Sequence, residues 1–310
     1  MIEDQFSHLP GILSEESSGR RTTLGGRHPY SETPRGTNGD RAVFRQLFDP
    51  ETSSYTYLLA DSTTAQALLV DPVLEQIDRD CSLLSELGLE LRLTLETHLH
   101  ADHVTASGRL RERLGSQVGA GAKAGVANAD RELGDGDLIE LGSLCLEVRF
   151  TPGHTDGCVT YVCLDEATAF TGDALLIRGC GRTDFQQGDP KALFRSVRER
   201  IFSLPEETLL YPGHDYKGRM VTTVAEEKRF NPRLGLDRTF AEFSQIMSEL
   251  NLAFPRQIDR AVPANRLSGL GGGAEEGSGS RAAPSERRAV AEAMERLGRQ
   301  DAELWRGMGI

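Results

Sequence analysis

A chain of 310 residues with 38% hydrophobic side chains can bury one large core, or one domain with appendages. It has no apolar run near the roughly 18 residues a membrane span requires. A formal net charge of −12 disfavours a nucleic-acid partner, whose phosphates need many Lys and Arg, but leaves room for a small anionic substrate met by a few local cations.

Residues 1–40 are rich in Ser, Gly, Arg and Pro and lack sustained periodicity, so they read as a disordered tail. Glu3 and Asp4 argue against a secretory signal or an acid-poor transit peptide. Apolar alternation begins at Val43 and Phe44 and returns at Tyr55, Tyr57 and Leu59, then at 67–70, in short runs of the kind strands make. Ile77, Leu83, Leu84 and Leu87 recur at helical spacing before a stop at Gly88. A buried strand is expected over 91–97 and a helix over 106–114. Further strands follow at 144–150, 159–164, 167–171 and 209–211, with a helix over 190–202. Strands and helices mixed in this way predict a layered α/β domain.

The catalytic domain is expected over 41–266. A Gly/Ser/Glu-rich stretch at 269–280 marks a flexible linker, placed over 267–284. Residues 285–310 then form an amphipathic helical tail in which Val290, Met294, Leu297 and Leu304 share a stripe. That stripe could dock a second copy as a homodimer, fold back on the domain, or stay weakly ordered.

Seven histidines are present, and His8 and His28 fall in the N-terminal tail. The other five, His98, His100, His103, His154 and His214, all sit at strand ends beside Gly, Asp or Pro. One such histidine is ordinarily a satisfied polar group; five together, with Asp102 and Asp173, point to a metal site. His98 and His100 alternate by two, so a strand end aims both the same way, while Asp102 and His103 turn with the loop. Asp173 follows an apolar strand and Gly172, where the plainer reading is a turn residue or helix cap. The five cysteines are odd in number and lack C-x-x-C spacing, which fits free thiols in a reducing compartment rather than a thiolate zinc site. Imidazole and carboxylate ligands suit zinc, iron or manganese better than calcium.

His98-x-His100-x-Asp102-His103, followed by His154, Asp173 and His214, resembles the metallo-β-lactamase superfamily. The resemblance covers residues 41–266 and implies an αββα sandwich with its metal site on loops at one edge. Within that superfamily, residues 172–188, with Ala174-Leu175-Leu176-Ile177-Arg178-Gly179-Cys180-Gly181-Arg182-Thr183-Asp184-Phe185-Gln186, are the most distinctive segment. With Tyr211-Pro212-Gly213-His214-Asp215-Tyr216, Asn231-Pro232-Arg233-Leu234 and residues 258–265, they resemble the persulfide dioxygenases. That resemblance implies one Fe(II) per chain, held by His98, His154 and Asp173 as a two-His-one-carboxylate face. It also implies glutathione persulfide and O2 as substrates, with sulfite and glutathione as products. His100, Asp102, His103, His214 and Asp71 are then a second site left without metal, or partners that hydrogen-bond to the ligands.

Glutathione carries two carboxylates, so Arg182 and Arg233 are the expected anchors, with Thr183 and Tyr216 as hydrogen-bonding neighbours. Tyr216 is also the expected catalytic side chain beside the metal. Surface salt bridges are the plainer reading of both arginines; Cys180 matches a family cysteine near the site and reads equally well as a packed thiol. The family's closing Cys-Gly reads Ser268-Gly269 here, and residues 118–126 depart from the pattern through their many Gly and Ala. Too little chain follows Asn265 for a rhodanese-like domain.

A glyoxalase II-type thioesterase with a two-metal site is the competing expectation, since ligands for both metals are present. Residues 178–187 and the short region after His214 argue against it. A noncatalytic scaffold would have no physical need for all seven ligands. The expected location is the cytoplasm of a bacterium, or the mitochondrial matrix if the source is eukaryotic.

Overall fold

A computed structural model describes residues 42–250, 252–253 and 255–270. The expected N-terminal tail (1–40), most of the linker and the amphipathic helix of 285–310 lie outside the described residues.

Twelve strands form two six-stranded sheets in the described region. In the first, β1 (Ala42–Asp49), β2 (Ser54–Asp61), β3 (Gln66–Val70), β4 (Glu90–Glu96), β5 (Gln117–Gly121) and β6 (Arg131–Leu133) are neighbours in chain order. The hairpins β1–β2 and β2–β3 are antiparallel, whereas β3–β4 and β4–β5 are parallel. A parallel step needs a crossover, and α1 (Ile77–Glu86) and α2 (Ser107–Leu114) supply them. The second sheet is formed by β7 (Leu138–Leu141), β8 (Leu144–Phe150), β9 (Val159–Cys163), β10 (Thr168–Gly172), β11 (Leu209–Pro212) and β12 (Thr222–Thr223). Its one parallel pair, β10–β11, is bridged by α3 (Pro190–Ser196) and the π turn that extends it. Helices α4 (Val224–Phe230), α5 (Phe240–Ser248) and α6 (Ile258–Asn265) follow.

Strand periodicity sorts the apolar side chains into layers. Tyr57, Leu59, Leu95, Val148, Tyr161 and Phe170 fill the space between the sheets. Leu58, Ala60 and Leu69, pointing the other way, pack against Ile77 and Leu84 of α1 and Leu110 of α2. On the far side, Val162, Ala169 and Leu210 pack against Leu193, Phe243 and Met247. The result is the αββα sandwich the sequence leads one to expect.

Two expectations change. Residues 118–126 include all of β5 but its first residue: a Cβ on Gly121 would stand 2.8 Å from Val159 Cγ1 and 2.9 Å from the Gly157 carbonyl oxygen, so small residues let this strand run close to its neighbours. The packed chain also passes residue 266. Leu267 and Ser268 are buried, Gly108 N–H donates to Ser268 O at 2.7 Å, and the Ser268 hydroxyl meets Asn128 Oδ1 at 2.6 Å. Residues 267–270 therefore belong to the packed structure, not to the linker. Among the described residues no helix is long and apolar enough to cross a membrane.

The topology gathers one edge. Asp71 follows β3, Thr97 and His98 follow β4, Asp173 follows β10 and His214 comes just after β11, all at the carboxyl ends of parallel strands, where open α/β sheets place ligands. His154 reaches the same edge from the loop between β8 and β9, and Val159 N–H donates to Thr97 O at 2.8 Å to join the sheets there.

Candidate metal centre and substrate cavity

His98, His154 and Asp173 offer ligand atoms that all lie within 4.8 Å of one another. The hydrogen-bond network assigns each ring its tautomer. His98 Nδ1 lies 2.9 Å from Thr97 Oγ1, whose own proton goes to Asp71 Oδ2 at 2.7 Å, so His98 donates from Nδ1 and keeps Nε2 available. Asp71 also accepts from Thr97 N–H at 2.7 Å, and it is fixed at φ 50, a conformation that Asp tolerates better than most residues. His154 donates from Nδ1 to the Arg182 carbonyl at 2.7 Å, and its Nε2 lies 3.7 Å from Asp173 Oδ2. Asp173 Oδ1 is taken by His214 Nδ1 at 2.7 Å. Each of the three groups thus has one side tied down and one donor atom left for the common space.

Burial keeps His98 well below its ordinary range, so the ring is neutral and its lone pair is present. Burial alone would raise Asp173, but the neighbouring His214, His154 and His98 outweigh it and hold the carboxyl below its usual range. These side chains crowd because the backbone around them is bare. A Cβ on Gly213 would stand 2.6 Å from Asp173 Oδ1, and one on Gly181 would stand 2.7 Å from His154 Nδ1. The donor chemistry, tautomers and free atoms all fit a divalent transition metal.

The remaining candidates form a second group, His100, Asp102 and His103, also within 4.8 Å. Here the groups mostly satisfy one another. Asp102 Oδ2 accepts from His103 Nδ1 at 2.7 Å and His214 Nε2 at 2.9 Å, so both nitrogens of His214 are spent on carboxylates. Burial would lower His214, yet Asp173 and Asp102 raise it well above its ordinary range. His100 Nε2 lies 3.1 Å from Asp71 Oδ1 and 3.4 Å from Glu96 Oε2, at ion-pair distances without aligned hydrogen bonds. His103 Nε2 is buried and unpartnered.

Beside the first group opens a cavity of about 510 Å³, within the usual range for small-molecule sites. His154, Asp173, Arg182, Phe185, Tyr216 and Arg233 are on its wall. Of its cations, Arg178 pairs with Glu227 and Glu226, Arg182 with Asp184, and Arg219 with Asp215. Among the described residues Arg233 and Lys217 have no carboxylate partner; Arg233 donates to the Cys180 carbonyl at 3.2 Å.

The expected anchors therefore differ. Arg233 has a guanidinium to offer, while Arg182 is spent on Asp184, on the Ala253 carbonyl at 2.8 Å and on the face of Phe185. Thr183 is not on the cavity wall. Tyr216 is exposed at the mouth and stacks on His214, with ring centres 5.9 Å apart and planes 6° from parallel. The Cys180 thiol is buried against Met247, and burial pushes it up to about 11, as expected of a packed thiol.

Sequence reasoning passed over several residues that hold the site. Thr97 was visible only as the start of a motif, and it is the relay to Asp71. Glu96 Oε1 accepts from Thr105 at 2.6 Å and from Ser107 at 2.5 Å. Asn265 accepts from Thr105 N–H at 2.8 Å and donates to the carbonyls of His100 at 2.9 Å and His103 at 2.8 Å, so α6 clasps the histidine loop. Gln186 donates to the Leu99 carbonyl at 2.7 Å. The one available signal was their place inside recognisable motifs.

Residues 49–214 match the family described as the metallo-beta-lactamase superfamily. Over 233 residues, 75% of this chain and 91% of the relative, the sequence is 52% identical to the Mus musculus protein named persulfide dioxygenase ETHE1, mitochondrial. The crystal structure of ETHE1 from Myxococcus xanthus superposes with a TM-score of 0.71 at 52% identity, over 73% of this chain and 99% of that one. A hydroxyacylglutathione hydrolase from a Methylobacterium strain is 39% identical over 161 residues, 51% of this chain and 61% of its own. Its match is thus weaker and partial, whereas the persulfide dioxygenases match nearly end to end. With two layered sheets, a histidine–aspartate metal centre and these relatives, the chain belongs to the persulfide dioxygenase family of the metallo-β-lactamase superfamily.

Proposed function

We propose that this enzyme oxidises glutathione persulfide: the persulfide, O2 and water give glutathione, sulfite and two protons. We assign the metal as one Fe(II) held by His98 Nε2, His154 Nε2 and Asp173 Oδ2. The observation that carries this reading is the three-ligand face itself, in which every other polar atom of the ligands is already bonded to protein. Bound there, Fe(II) supplies the redox chemistry with O2, because a two-His-one-carboxylate face leaves coordination positions open.

The chain's own contribution is orientation. Arg233 meets one glutathione carboxylate and Lys217 the other, the two cavity cations without an acid of their own. Tyr216, held flat on His214, offers its hydroxyl to the substrate at the mouth. Phe185 and Leu252 give the tripeptide an apolar wall. Buried His100 and His103 and the Asn265 clasp keep the ligand loop rigid and dry. If the source is eukaryotic we place the enzyme in the mitochondrial matrix; the name of the mouse relative calls that protein mitochondrial.

The second group of His100, Asp102 and His103 supports a rival reading, a two-metal thioesterase. Asp102 is occupied by His103 and His214, which favours the mononuclear reading, whereas the unpartnered Nε2 of His103 is the atom the rival reading would use. Anaerobic purification, metal analysis and O2 uptake with glutathione persulfide separate the two. Near one iron per chain with sulfite formation is the expected result. Two metals per chain, thioester hydrolysis and no O2 uptake would sink the proposal.

A further inference from the structure

The carboxylate of Glu227 is fully buried in α4, and it lies outside the metal centre. Three donors and a shared hydroxyl converge on it. Arg178 gives both its backbone N–H, at 3.0 Å to Oε2, and its guanidinium, to Oε1. The Asn231 amide donates at 2.8 Å, and the Thr222 hydroxyl, shared with Glu226 Oε2 at 2.7 Å, lies 2.8 Å from Oε1. A buried carboxylate persists only when it is paired and hydrogen-bonded, and this one is saturated.

Its partners are what matter. Arg178 lines the substrate cavity in a left-handed conformation (φ 58), which costs a non-glycine residue energy unless the surroundings enforce it. Asn231 also donates to the Gly179 carbonyl at 3.0 Å, and its Oδ1 accepts from the backbone N–H of Arg233 at 3.0 Å and of Leu234 at 3.0 Å. Arg233 in turn reaches the Cys180 carbonyl. Two separate strips of the cavity wall, 178–180 and 233, are thus hung from one acid.

We infer that Glu227 is a positioning residue for substrate: through Arg178 and Asn231 it holds the 178–180 wall and aims Arg233 at the carboxylate of the incoming thiol. This rests on the proposal that the cavity binds glutathione persulfide. It explains why the most distinctive segment of the sequence carries an arginine whose charge is turned inward rather than offered to substrate.

The test uses the metal-loaded enzyme with glutathione persulfide at saturating O2. Glu227→Gln should raise KM about tenfold while kcat stays within about twofold, the signature of lost ground-state binding, and metal content should be unchanged. Arg233→Ala should raise KM similarly, and the double variant should add little to either, because both changes remove one interaction. An unchanged KM, a fall in kcat alone, or fully additive effects would overturn the inference. If Glu227→Gln fails to fold, Asn231→Ala decides the same question, since it keeps the Glu227–Arg178 pair and removes the Asn231 bonds to Glu227, Gly179, Arg233 and Leu234. An inactive native enzyme would count against the proposed reaction instead. In that event alkylation of Cys180, on the same wall, remains decisive: faster labelling in either variant supports the tether, and an unchanged rate refutes it.

Discussion

The two clusters of metal-binding side chains, a few ångströms apart, solve different problems. In His98, His154 and Asp173 the outward atom of each group is tied to a partner outside the group: a hydroxyl, a backbone carbonyl or the His214 ring. Each therefore keeps one donor atom facing the others. In His100, Asp102, His103 and His214 the partners are mostly further members of the cluster or buried acids, while His103 Nε2 stays buried without a partner. The ligand types are the same; on the proposed reading, what separates the metal centre from the residues around it is where the second hydrogen bond goes.

The comparison is open to attack from the strongest effect downward. Asp173→Ala should cost more than about 100-fold in metal affinity, measured by competition with a chelator, since it removes the one anionic ligand. Thr97→Val should cost about 10- to 100-fold, because it breaks the relay that fixes the His98 tautomer, and Thr97→Ser should restore most of the loss. Tyr216→Phe should lower kcat/KM by about three- to tenfold, the value of one neutral hydrogen bond, with metal content intact. Asp102→Ala should retain most of its metal. Equal metal loss in the Asp102 and Asp173 variants would erase the distinction between the clusters.

Much of this was written locally in the sequence. Alternation at Tyr55, Tyr57 and Leu59 gave a strand, and the His98–His103 motif announced its chemistry because strand-end residues two apart share a direction. Strand β5 was obscured because its Gly and Ala answer to the packing of other strands rather than to a local pattern. Asn265 and Glu227 stayed illegible for a related reason: their hydrogen bonds span 162 and 49 residues, to His103 and Arg178, and no periodicity encodes such a distance. Arg182 shows the opposite case. Its motif was conspicuous, but a partner two residues away, Asp184, takes its charge.

The Asn265 clasp joins two fates. The amide holding the backbone of the histidine loop comes from the last helix described, long after both sheets in chain order. A vectorially synthesised chain can therefore complete its core while this loop still lacks its final restraint. Fraying of α6 in the mature protein would release the same loop, so amide exchange at Thr105 should keep pace with that of the helix. On the proposed metal site, readiness to take up metal would then depend on a side chain that never touches it.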